Sequence, residues 1–158
     1  MLQMRDFTPL DCLNAAERIE RLAQRLYARL ADRTRHWPLL QRLFLRLSAE
    51  EEQHALRIQT FGRHALPEHW DQAAANEVGE ALASMEEELE ALLVDLSQRP
   101  EYRDSGEILR LVAGFESRFA DLHSEGLARL FAPEVRKLFA ALAAQDLQHV
   151  ELLEHAPV

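Results

Sequence analysis

The stretch LRLSAEEEQHAL, residues 45–56, places Glu51 and His54 where the helical period asks for apolar side chains. Leu40, Phe44, Leu47, Glu51, His54, Ile58 and Phe61 follow one another at steps of three or four, which is a single stripe of an α-helix. An unpartnered polar group on such a stripe costs roughly 2–7 kcal/mol to bury, and a charge costs more. Three arrangements relieve that cost: a helix face turned to water, a buried hydrogen-bond network, or a metal ion.

Three more segments repeat the interruption. Leu13, Ala16, Glu20, Ala23, Tyr27 and Leu30 form one stripe, and Leu109, Val112, Glu116, Phe119, His123, Leu127 and Leu130 form another. Val135, Leu138, Leu142, Asp146, His149 and Leu153 complete the set, again with an acid and a histidine three apart. Start and stop signals give the spans. Thr8-Pro9-Leu10-Asp11 opens a helix α1 over about 9–34, and Pro38 opens α2, which runs to Gly62. An amphipathic segment over about 73–97, closed by RPEYRD, is a crossover helix α3. Asp104 and Glu107 open α4 over about 105–131, and Pro133 opens α5 over about 133–154. No strand-period alternation occurs, so the expected fold is all-α: a four-helix bundle of α1, α2, α4 and α5 with an additional helix in the long crossover.

The composition fits one such domain and excludes several functions. At 158 residues the chain is long enough for one core and too short for two full domains. Its net charge of −9 disfavours nucleic acid, which is gripped by clustered Lys and Arg, and favours cations. One cysteine, Cys12, permits neither an intrachain disulfide nor a Cys-x-x-Cys site, and it reads as a packed small residue in a reducing cytoplasm. No apolar run reaches the roughly 20 residues of a membrane span, and MLQMRDFTPLD is too acidic and weakly apolar for a secretion signal.

The two acid-x-x-His pairs carry little weight as a count, because 7 histidines and 27 acids supply about one by chance. Their layout carries more. Glu20 to Tyr27 and Glu116 to His123 are both seven apart, while Glu20 to Glu51 is 31 and Glu116 to Asp146 is 30. The first helix pair is echoed by the second, and residues three apart project to the same side, so an acid and a histidine can share one ion. Four carboxylates and two neutral imidazoles balance two divalent cations, whereas four acids without metal must take up protons. Oxygen-rich ligation with two imidazoles suits iron or manganese better than structural zinc.

Glu20, Tyr27, Glu51, His54, Glu116, Asp146 and His149 resemble the di-iron pattern of the ferritin-like superfamily, and the repeat layout is most similar to rubrerythrin-type proteins. The resemblance implies two iron ions, with manganese as the alternative. It implies Glu20 and Glu116 as single carboxylate ligands, Glu51 and Asp146 as bridging candidates, and His54 and His149 as one cap for each ion. Tyr27 matches the family's supporting tyrosine. Three departures stand out: Asp146 is one methylene shorter than the usual glutamate, Phe119 stands where rubrerythrins carry an extra glutamate, and no four-cysteine rubredoxin-like segment is present. The expected partners are therefore ferrous iron, peroxide or dioxygen, and a separate electron-donor protein, with the chain assembled as a homodimer or larger homo-oligomer.

The remaining polar residues sort by position. Glu50, Glu52 and Glu86-Glu87-Glu88 read as solvated, and Glu17 is the alternative to Glu20 if the α1 register is shifted. His123 reads either as a support beside the metals or as a satisfied core histidine. Gln145 can reach the site's edge, and His36, His64, His69 and His155 read as surface. Three functions fit: a non-haem di-iron oxidoreductase for ferrous iron, peroxide or dioxygen; an iron-sequestering protein with little turnover; and a metal-free helical interaction module.

Overall fold

The computed structural model describes residues 5–62, 64, 66–98 and 104–157. Within them the chain forms five α-helices and no strand: α1 Pro9–Arg33, α2 Pro38–Gly62, α3 Gln72–Gln98, α4 Ser105–Asp121 and α5 Pro133–Glu154. The RPEYRD stop expected after α3 falls mostly on residues 99–103, outside the described residues.

Local chemistry sets the helix starts. Thr8 Oγ1 accepts from the Asp11 amide at 3.1 Å while Asp11 Oδ2 accepts from the Thr8 amide at 2.9 Å, a reciprocal cap followed by Pro9. Asp104 Oδ1 accepts from the Gly106 amide at 2.9 Å at the start of α4, and Pro133 takes the first position of α5. The turn between α1 and α2 is closed by the Trp37 amide on the Thr34 carbonyl at 2.9 Å.

The helices pair as α1 with α2 and α4 with α5, and α2 and α5 meet across the bundle. α3 lies along α1 on the bundle's side, burying Ala75, Val78, Leu82, Met85, Leu89 and Leu96. Gly79 makes this approach possible, because a Cβ there would stand 2.2 Å from the Phe7 ring. Cys12 is fully buried, and its thiol donates to the Ala75 carbonyl at 3.5 Å, a packing role that ties α1 to α3.

Two expectations are corrected. The fourth helix does not continue as α to residue 131: it widens into a π-turn, Leu122–Gly126, and tightens into a 3-10 turn, Leu127–Leu130. Ser124 Oγ donates back to the Ala120 carbonyl at 2.8 Å and Gly126 follows, two features that weaken a regular α-ladder. Phe61, placed on the inner stripe of α2, is instead 59% exposed. Three residues turn the helix about 300°, so the step from Ile58 carries Phe61 about 60° off the stripe. The other members of that stripe, from Leu40 to Ile58, are buried.

Candidate metal centre

Glu20, Glu51, His54, Glu116, Asp146 and His149 meet in the middle of the bundle, each at most 1% exposed. Glu51 stands between two groups. With Glu20 and His54 it forms one set of potential metal ligands, and with Glu116 and His149 it forms a second, the ligand atoms of each lying within 4.8 Å of one another. The His54 and His149 rings stack across the centre at 5.6 Å between centroids. Asp146 belongs to neither set. Expected as a bridging candidate beside Glu51, it has its Oδ1 3.9 Å from His54 Nδ1, on the side of the first set.

The seven-residue spacings resolve into a crossed pair of supports. Tyr27, on α1, donates its hydroxyl hydrogen to Glu116 Oε1 on α4. His123, on the π-turn that continues α4, lies with Nε2 3.0 Å from Glu20 Oε1 on α1. Each single carboxylate is thus held by the residue seven places beyond the other one. The imidazole reaches further than the phenol, because its second nitrogen, Nδ1, hydrogen-bonds Asp146 Oδ2 at 2.6 Å. His123 therefore joins α1 to α5 through two carboxylates. Phe119, one turn earlier, is buried and apolar.

The crowding of carboxylates and imidazoles shifts their protonation. Burial alone would push the imidazoles down, but Glu20 and Glu51 raise His54 to about 11, Glu116 and Glu51 raise His149 to about 11, and Asp146 and Glu20 raise His123 to about 10. Glu51 moves well above the usual carboxylate range, through burial and then the charges of Glu116 and Glu20. Glu20 goes the other way: burial opposes ionisation, but the Glu51 carboxyl and the His123 and His54 imidazoles outweigh it. Burial and the adjoining Glu116 charge hold the Tyr27 phenol well above its ordinary value, so it stays a donor.

The hydrogen bonding is nonetheless incomplete. Glu20 Oε2, both oxygens of Glu51, both ring nitrogens of His54 and Asp146 Oδ1 are buried without a hydrogen-bond partner among the described residues. His54 Nδ1 is 3.3 Å from Glu51 Oε2 and 3.7 Å from Glu20 Oε2, close but not aligned for hydrogen bonds. Each orphaned buried group costs about 1–3 kcal/mol. Hard oxygen donors and imidazole nitrogens converging in this way fit divalent first-row cations, which would satisfy those same atoms.

A family model described as Rubrerythrin matches residues 11–156, which include every residue of this centre. The chain belongs to the rubrerythrin family. That family is a ferritin-like di-iron family, in agreement with the helical bundle and with the carboxylate and imidazole groups that could bind metal. No curated protein and no solved structure matches the chain.

Other expected positions divide. Glu17 pairs with Arg21 at 3.2 Å and stays out of the centre, leaving Glu20 as the inward residue of α1. Gln145 accepts from Arg57 Nη1 at 3.0 Å and links α5 to α2. Glu52 and Glu87 are exposed, while Glu86 and Glu88 pair with Arg18 and Arg118. His36, His64, His69 and His155 are exposed. Glu50, expected to be fully solvated, is only partly exposed and is paired: its Oε2 lies 2.7 Å from His149 Nε2 while its Oε1 accepts from Arg46 Nε at 2.7 Å. The sequence signal was Arg46 four residues before Glu50, an i,i+4 pair that pins the carboxylate.

Proposed function

We propose that this chain is a di-iron oxidoreductase that oxidises ferrous iron or reduces peroxide or dioxygen, with electrons from a separate donor protein. The observation that carries the reading is the set of six orphaned buried atoms around Glu51, which two cations would satisfy at once. A metal-free interaction module would leave them unmatched, and that makes the third function the weakest. When bound, a pair of iron ions supplies Lewis acidity and a store of two electrons.

The protein's part is to bind, order and keep out water. Glu51 would serve both positions; Glu20 and His54 would complete one, and Glu116 and His149 the other, with Asp146 Oδ1 on the His54 side. Tyr27 and His123 hold the single carboxylates in register, so loading needs little rearrangement. His54, His149 and Glu51 would have to give up protons to act as ligands, which would couple loading to pH. Iron is the expected ion and manganese the alternative. The reading includes a cytoplasmic setting and a homo-oligomer; no described helix is long and apolar enough to cross a membrane.

The test is metal content followed by turnover. Protein loaded anaerobically with ferrous iron should hold two irons per chain and then consume hydrogen peroxide or dioxygen with a reductant faster than the same amount of free iron. Two bound irons with a rate no greater than free iron would replace the oxidoreductase by a sequestering protein.

A further inference from the structure

The two imidazoles of the centre differ on their outer sides. His54 Nε2 is buried with no hydrogen-bond partner among the described residues. His149 Nε2 meets the Glu50 carboxylate at 2.7 Å, and that carboxylate is fixed by Arg46 Nε, also at 2.7 Å. His149 Nδ1 points inward, 3.0 Å from Glu51 Oε1 and 3.3 Å from Glu116 Oε2. The Glu50 side chain is 34% exposed and Arg46 is 58% exposed, so the chain Arg46–Glu50–His149 runs from the surface of α2 to the inside of α5 and on to Glu51 and Glu116. Glu50 lies one residue before Glu51, so a single turn of α2 holds His149 from outside and faces it from inside.

We propose that Glu50 is a positioning residue for metal binding by His149: it accepts the Nε2 hydrogen, fixes the ring so that Nδ1 faces the ion, and makes that nitrogen a better donor. This rests on the di-metal reading of the centre. A carboxylate on the far nitrogen of a ligating imidazole sets both the tautomer and the ring orientation, and its loss typically weakens metal binding 10–100-fold. No described residue holds His54 in the same way. The effect of Glu50 is accordingly confined to one of the two positions.

The test is an anaerobic calorimetric titration of the full chain with ferrous iron, comparing wild type, Glu50→Ala, Glu50→Gln, Arg46→Ala and the exposed control Glu52→Ala. Glu50→Ala should weaken one of two equivalents about 10–100-fold and leave the other unchanged. Glu50→Gln, which keeps an acceptor oxygen but no charge, should recover part of that loss; Arg46→Ala should cost less than either, and Glu52→Ala nothing. Two equivalents in wild type with an unchanged Glu50→Ala titration would overturn the positioning role while leaving the di-metal reading intact. Equal weakening of both equivalents would also overturn it, because that is what a general structural loss produces. No uptake by wild type would instead remove the di-metal reading on which it stands.

Discussion

In the His54 half of the centre, Glu20 is held by an imidazole and His54 has no outer support among the described residues; in the His149 half, Glu116 is held by a phenol and His149 has an outer carboxylate. The two halves share the same helix-pair pattern and the same ligand types, yet a partner sits behind the carboxylate alone in one and behind both the carboxylate and the imidazole in the other. Between the two helix pairs the residues that face the centre recur, and the residues that stand behind them do not. The repeat therefore predicts where cations bind, and the supports decide how differently the two positions behave.

The largest effect should come from the residue the halves share. Glu51 is in both ligand sets, whereas Glu20 and Glu116 are each in one. Glu51→Ala should abolish uptake of both metals and reduce peroxide or dioxygen consumption to the rate of free iron. Glu20→Ala and Glu116→Ala should each spare one equivalent. Metal analysis per chain, with circular dichroism to verify helix content, checks this; a Glu51→Ala protein that retains one tight equivalent would show that the halves are independent sites.

Protonation provides the next contrast, between the proton-filled and the metal-filled centre. His54 and His149 are raised from 6.5 to about 11, and His123 to about 10, by the carboxylates around them. A group whose folded value is raised contributes stability in full below its unfolded value and loses it as pH climbs through the folded one. The metal-free protein should thus weaken steadily above pH 6.5, and the raised Glu51 acts in the same direction from its ordinary 4.5 upward. Glu20, depressed in the fold, contributes oppositely: its share is present above 4.5 and lost as acid protonates it. In the loaded protein the protons of His54, His149 and Glu51 are displaced, so its melting temperature should change little from pH 6.5 to 9 while its affinity for iron falls towards acid. Parallel melts with and without metal test the pair of trends, and a flat metal-free profile would break the comparison.

Much of this was legible in the sequence, for reasons that also explain what was not. The acid-x-x-His pairs could be read because three residues on a helix return to nearly the same face, and burial of that face is a local property of the pattern. Glu50 sits about 100° round the helix from Glu51, in a run of three glutamates that looks solvated. Its partner His149 is 99 residues away, and no periodicity reports which neighbour a side position will meet. The seven-residue steps to Tyr27 and His123 showed shared faces but not that each support crosses to the opposite helix. The π-turn was hidden because the stripe through Leu127 and Leu130 continues past it, and both residues are still buried. Asp146 was read by its length alone, whereas its direction depends on His123, which the sequence left undecided.

The smallest expected effects separate the two crossed supports. Tyr27→Phe keeps the ring that packs near Phe44 and removes one hydrogen bond to Glu116, a loss of about 1.5–3 kcal/mol for a bond to a charged group. His123→Phe keeps a ring beside Phe139 but removes bonds to both Glu20 and Asp146, leaving two buried carboxylates without their shared cation. Breaking a buried charged pair from one side costs about 3–5 kcal/mol, so the metal-free His123 variant should be the less stable by denaturant titration. Metal should narrow that gap, because Glu20 and Asp146 Oδ1 gain a cation when the imidazolium is gone. The two variants should also fall on different equivalents: Tyr27→Phe on the one that uses Glu116, His123→Phe on the one that uses Glu20. Equal destabilisation of the metal-free proteins would mean that the phenol and the imidazole are interchangeable props, and that the second reach of His123, to Asp146, adds nothing to the difference between the halves.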